Sequence, residues 1–258
     1  MSRRIVLLVI LGVLSAAASA DTITCLGRIE PMDGVRVLSG PSTAGGGSSV
    51  IAELKVEEGE WVEKDQLLAV LDDFFLHEAE LQRQEALLEE ARVELNRLQG
   101  LSASRAAAAA DLDKARFRFK ALEAQKKVVQ VRQNMSMIRA PLRGQVLKIY
   151  TRPGEQIGPE GILELGETDQ MTVVAEVYET DVHRLAEGQE AVISSPALAQ
   201  SVTGNIISIG YRVGKMDVLS SDPVADTDAR VVEAVILVDE PEALQRLTNL
   251  QVDVEISP

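Results

Sequence analysis

The chain has 258 residues, enough for one large domain or two to three small modules with a real hydrophobic core. Apolar residues supply 46% and charged ones 26%, which argues against disorder, while 3% aromatics leave the interior to aliphatic side chains. A net charge of -14 with no Lys/Arg cluster argues against nucleic-acid binding, and two His with one Cys build neither a metal cage nor a disulfide nor a CxxC redox pair.

Arg3-Arg4 precedes an apolar run from Ile5 to Leu14, and small residues follow, ending Ala18-Ser19-Ala20 before Asp21. Those are the charged, apolar and small-residue parts of a secretory signal, so residues 1–20 are expected to direct export. The run is about half of the ~20 residues a spanning helix needs, which favours cleavage over retention as an anchor. Cys25 reads as a small apolar residue rather than a nucleophile, and Thr22-Ile23-Thr24 lack the small residues that lipid attachment would require. The Gly/Ser/Pro-rich stretch 39–49, with Gly45-Gly46-Gly47, lacks the spacing of a phosphate-cradling loop and reads as a flexible connection.

An internal repeat follows at an offset of 95 residues. Ile51, Leu54, Gly59, Glu60, Val62, Leu67, Leu68 and Val70 align with Val146, Ile149, Gly154, Glu155, Ile157, Ile162, Leu163 and Leu165. Each copy reads as short aliphatic strands around a tight turn, at Glu58-Gly59 or Pro153-Gly154, where glycine permits a positive φ. One copy cannot bury its own apolar face, so the two are expected to clasp each other as a small sandwich.

Between the copies the period changes. Phe74, Leu81, Leu88 and Leu95 recur every seven residues with Ala91 and Leu98 on the same stripe, and Leu112, Ala115, Phe119, Leu122 and Val129 form a second helical run. Gly100, with Ser102 and Ser104, is expected to break the two runs, giving an antiparallel hairpin whose arms of roughly 30 residues extend about 45 Å. His77, Gln84 and Lys126 interrupt a stripe too narrow for a buried layer, which favours a projecting hairpin. The run Ala106 to Ala110 suits close helix approach and plain helix propensity equally.

Val50 to Asp72, with Gly59-Glu60-Trp61-Val62 at its turn, and Arg139-Ala140-Pro141-Leu142-Arg143-Gly144 resemble the two halves of a biotinyl/lipoyl-like domain. The hairpin occupies the place where a carrier domain bears its modified lysine, so a carrier accessory is the weaker alternative, as is a coiled-coil spacer without transport. A lipoyl-like domain split in this way is similar to the HlyD-like periplasmic adaptors, or membrane fusion proteins, of bacterial exporters. Met171–Tyr178, Thr180–Leu185, Gly188–Ser194 and Thr203–Tyr211 resemble the strand, short helix and further strands of their β-barrel domain. Gly210 to Leu219, Asp222-Pro223, Asp228 to Glu233 and Leu247 to Val254 are similar to adaptors of ABC exporters of the heterocyst glycolipid exporter (DevB) type.

The resemblance implies an α+β, mainly β, architecture: a signal peptide over 1–20, a split lipoyl-like β-sandwich over 26–72 and 139–168, a hairpin over 73–138 and a β-barrel domain over 169–258. It implies no enzymatic activity, no cofactor and no metal site. The implied partners are an inner-membrane ABC permease/ATPase, a TolC-like outer-membrane channel and further copies in a hexameric ring, with the protein periplasmic and associated with the inner membrane. Channel-docking adaptors often carry Arg-x3-Leu-x6-Ser at the hairpin tip; Arg97 and Leu101 match its first half, Ala108 stands in place of the serine, and Ser102 or Ser104 is the substitute. Gly59, Gly144 and Gly154 are the expected structural turns.

Other constellations are weak. Gly210 and Gly214-Lys215 lack the spacing and hydroxyl of a nucleotide loop, and Asp222, Asp226 and Asp228 lack the order of a calcium loop. His77 and His183 read as too isolated for a nucleophile-base-orienter set. Trp61, placed on the first turn, suits either capping its own sandwich or packing on a neighbouring subunit.

Overall fold

The computed structural model describes residues 22–41, 49–103, 109–216 and 230–257, without the side chains of Ser102 and Ala103. The signal segment 1–20, Gly45-Gly46-Gly47, Ser104, Ala106 to Ala108 and the acidic trio Asp222, Asp226 and Asp228 lie outside the described residues. The strands before the helices are β1 (Ile23–Pro31), β2 (Arg36–Leu38), β3 (Ile51–Leu54), β4 (Trp61–Val62) and β5 (Leu67–Leu71). Helices α1 (Phe74–Ala103) and α2 (Ala109–Met135) follow, then β6 (Met137–Arg139), β7 (Gly144–Ile149) and β8 (Leu163–Gly166). The chain closes with β9 (Met171–Tyr178), β10 (Glu190–Ser194), β11 (Val202–Lys215), β12 (Arg230–Val238) and β13 (Gln251–Ile256).

Two units result: the described parts of Met1–Glu30 and Gln170–Pro258, and Pro31–Asp169. In the first, β1-β13-β10-β11-β12-β9 form a closed barrel. Period-two alternation explains its core: β13 turns Val252, Val254 and Ile256 inward, and they pack with Ile29, Met171, Ile193, Ile206 and Ile236. A 3-10 turn at Val182–Arg184 stands where the short helix Thr180–Leu185 is expected.

The second unit holds sheets β2-β8-β7-β4 and β3-β5-β6. Ile51, Val62, Leu68 and Leu71 from the first repeat share one core with Val146, Ile162, Leu163 and Leu165 from the second. The repeat is visible as reciprocal hydrogen bonding. Gly59 N–H donates to the Val146 carbonyl at 2.7 Å and Gly154 N–H to the Ile51 carbonyl at 2.8 Å. Ile51 N–H donates to Glu155 O at 3.1 Å and Val146 N–H to Glu60 O at 2.9 Å. Each half thus supplies what the other lacks, as an approximate two-fold pair.

Four expectations are corrected. Residues 26–30 belong to the barrel, because β1 pairs with β13 from Ile23↔Ile256 to Arg28↔Gln251 and completes its closure. Gly100 does not break the helix; α1 runs through it to Ala103. Gly144 is no turn but the first residue of β7, paired with Val62, and a Cβ there would stand 2.9 Å from the Gly166 carbonyl oxygen. Trp61 lies past the turn, as the first residue of β4.

Candidate functional site

The candidate site is the helical hairpin, which leaves the sandwich after β5 and returns to it at β6. Its inner seam on α1 is Phe74, His77, Leu81, Gln84, Leu88, Ala91, Leu95 and Leu98, at alternating steps of three and four. The partner row is Leu112, Ala115, Phe119, Leu122, Lys126, Val129, Gln133 and Ser136. Every member is buried or half-buried, which is the pattern of a two-helix heptad contact. Sequence reading caught the apolar members and treated the polar ones as interruptions; Gln133 and Ser136 were missed, although the same step pattern marks them.

Polar layers mark the base of the hairpin. Ser136 Oγ lies 3.0 Å from His77 Nδ1 and donates to the Arg132 carbonyl at 3.2 Å, while Asp73 Oδ2 lies 3.9 Å from the same nitrogen. His77 is therefore not isolated. Asp73 and Ser136 nonetheless face one ring nitrogen, whereas a relay needs them on opposite nitrogens, and Ser136 is buried away from any substrate. The cluster fixes the hairpin's register on the sandwich, with the Leu71 amide donating to the Ser136 carbonyl at 2.9 Å. Further out, Lys126 turns its ammonium from the seam to Glu85 at 2.9 Å and Arg118 reaches Glu90 at 3.4 Å.

Towards the tip, Arg97 donates to both carboxylate oxygens of Glu94, at 2.8 and 2.7 Å. That pairing holds the Glu94 carboxyl below and the Arg97 guanidinium above their ordinary values. Leu101 is exposed one turn later, Ser102 is helical, and Ser104 and Ala108 lie outside the described residues. The structure thus brings Arg97 and Leu101 to one end of α1, with Arg97 engaged by its own helix. Gly59 and Gly154 sit at the predicted turns with φ of 85° and 86°.

On the sandwich rim the Arg143 guanidinium lies 4.5 Å from the Trp61 ring centroid and 2.6 Å from Asp169. Trp61 is capped by its own domain on that side and otherwise partly exposed. The Asp169 hydrogen bond raises the Arg143 pKa; desolvation works against it, and the charges of Asp169, Glu63 and Glu167 add to the rise. Among the described residues no three His, Cys, Asp or Glu side chains gather as a metal-binding group, and no helix is long and apolar enough to cross a membrane.

Neither a protein-family model nor a curated protein sequence matches the chain. Solved structures do. A MacA-MexA chimera carrying the α-hairpin domain of Pseudomonas aeruginosa MexA matches with a TM-score of 0.74 at 20% identity, over 92% of this chain and 78% of that one. The membrane fusion protein Spr0693 of Streptococcus pneumoniae matches with a TM-score of 0.65 at 17% identity, over 91% and 98%. ZneB from Cupriavidus metallidurans gives 0.54 at 17% identity, over 92% and 98%. The fold is that of the membrane fusion proteins. It is a mainly β architecture with a helical hairpin inserted between the halves of a lipoyl-like sandwich.

Proposed function

We propose that the chain is the periplasmic adaptor subunit of a tripartite exporter. It would be sent out by its N-terminal signal, associate with the inner membrane and turn over no substrate. One observation carries the reading: the sandwich is opened where a carrier would bear its lysine, and a paired helical hairpin stands there instead. The split arrangement supports an arm that reaches a partner, and the fold shared with the membrane fusion proteins supports the same role. The finer reading names an ABC permease/ATPase of the heterocyst glycolipid exporter type below, a TolC-like channel above, and a hexameric ring of adaptors between them. Heterologous contacts close such a ring, and ATP hydrolysis by the permease would reach the hairpin as tilting of the domains.

The test is recovery of partners. The full chain, crosslinked in its producing cells and purified, is expected to bring down a permease, its ATPase and an outer-membrane channel. Leu101→Asp is expected to keep the permease and lose the channel by about tenfold or more, because a charge in a desolvated tip contact costs above ~1.4 kcal/mol. Its helical circular dichroism should not change, since Leu101 is exposed. A wild-type chain that recovers no membrane partner would leave the spacer reading in its place.

A further inference from the structure

The outer face of α2 carries an exposed apolar row with basic side chains on both flanks. Phe117, Ala121, Ala124, Val128, Val131 and Met135 recur at steps of four and three, on the side of the helix opposite the seam. All six are exposed, Phe117 at 71% and Val128 at 52%. At about 100° per residue they fall within about 60° of Val128. Lys114 and Arg132 stand about 40° to one side of it, and Lys120 and Lys127 about 80–100° to the other. Those four side chains have no ion-pair partner among the described residues, unlike Arg118, which reaches Glu90, and Lys126, which reaches Glu85. Asp113 is the acidic residue within the same arc, and Arg116 lies 3.7 Å from it.

In a chain of net charge -14, α2 bears seven Lys or Arg against three acidic residues. α1 is the reverse, with six Glu against three Arg, and its exposed Val93 stands one turn after Glu89 and Glu90. Charge therefore singles out one side of the hairpin. A basic amphipathic face fits a surface that is apolar within and negative at its skin, and a bilayer of anionic phospholipid is such a surface. Apolar side chains enter the boundary between headgroups and acyl chains, while Lys and Arg extend their stems to the phosphates. A convex ridge on a single helix needs no matching groove in a fluid bilayer, whereas a folded protein would have to supply one.

We propose that the outer face of α2 docks on a bilayer of anionic phospholipid, with the row from Phe117 to Met135, about 27 Å long, lying along the surface. The acidic α1 then faces away from the lipid. The docking is read from α2 itself and goes beyond the adaptor reading without resting on it. A hairpin held along a bilayer cannot at the same time reach away from it, so lipid and a partner at the tip are alternative engagements of one arm.

Site-specific fluorescence tests this in the full chain, whose native Cys25 is buried in the barrel. Val128→Cys and Val93→Cys, each carrying an environment-sensitive fluorophore, are mixed with vesicles of phosphatidylglycerol and phosphatidylethanolamine. The label at position 128 is expected to shift to the blue, and the label at position 93 to stay as in water. Phosphatidylcholine vesicles should give no shift, and raised salt should reverse it. Lys120→Gln combined with Lys127→Gln should weaken the response at position 128 by about tenfold or more. The helical circular dichroism of that variant should not change, since both lysines are exposed. Equal shifts at both positions, or with both kinds of vesicle, would overturn the proposal. So would a chain that floats with the vesicles while neither label moves, because another segment would then hold it. A blue shift at position 128 without vesicles, lost on dilution, would show a second copy covering the row and overturn it as well. Recovery of a permease plays no part in these measurements: failure here leaves the adaptor reading standing, and lipid docking by a chain that recovers no permease leaves this proposal standing.

Discussion

Burial inside the barrel, with the Glu176 carboxylate adding to it, pushes the Cys25 thiol up to about 12 from an ordinary 9.0. A folded Cys25 keeps its proton where an unfolded one has lost it, so across that interval the folded state binds more protons and stability falls as pH rises; below the unfolded value Cys25 adds no slope. The loss is at most about 1.4 kcal/mol per pH unit. Urea unfolding of the wild type and Cys25→Ala at mildly and strongly alkaline pH should show the wild type losing stability faster, and parallel curves would discard the assignment. At this scale the sequence was readable where backbone geometry demands a residue: Gly59 and Gly154 are the turns the repeat predicts. Gly144 was misread because its reason is tertiary, the approach of the Gly166 carbonyl from a neighbouring strand, and no local pattern announces that.

For single elements, the hairpin shows how weak local signals yield to packing. An exposed helical glycine costs about 1 kcal/mol relative to alanine, too little to end a helix of 30 residues whose seam contacts run up to Leu98 just before it. The helix therefore passes Gly100 instead of stopping. Gln84 is the opposite case, a polar residue held in the seam with its Oε1 buried and without a hydrogen-bond donor. Replacing it with Leu removes an unsatisfied acceptor at nearly constant volume, so Gln84→Leu is expected to stabilise the hairpin by about 1–2 kcal/mol, measured by thermal and denaturant unfolding. A destabilised variant would mean that Gln84 fixes the pairing register, the role a lone polar seam residue takes in other two-helix contacts. The first hairpin row was legible as a seven-residue recurrence and the second as a helical stripe, each with polar residues in it; that His77 meets Ser136 across the hairpin was legible only from the fold.

Across the molecule, the described residues are nested: from β1 in the barrel they pass through the sandwich, run out and back along the hairpin, return to the sandwich and come back to the barrel, whose last strand is β13. The part of this least evident from sequence was β1. Its alternation of Ile23, Cys25, Gly27 and Ile29 was present, but adjacency to the first repeat drew it to the wrong unit, and only pairing with a strand more than 220 residues later reveals its place. Closing that loop is costly in chain entropy, so the barrel needs a local lock. Arg28 of β1 provides one, with hydrogen bonds from its guanidinium to Glu30, to Glu176 of β9 at 3.1 Å and to Glu233 of β12 at 3.1 Å. Burial disfavours the charge, yet Glu30 and Glu233 outweigh it and hold the guanidinium above its ordinary pKa. Glu176 is 1% exposed, so Arg28→Met leaves a buried carboxylate without that cation, a loss of about 3–5 kcal/mol confined to the barrel. Hydrogen exchange should then quicken at Val252 and Val254 and stay unchanged at Leu68 and Leu163, which lie in the other unit. Adding Glu176→Leu should restore most of the protection. If both units loosened together, their stabilities would be coupled and the lock would serve the whole chain.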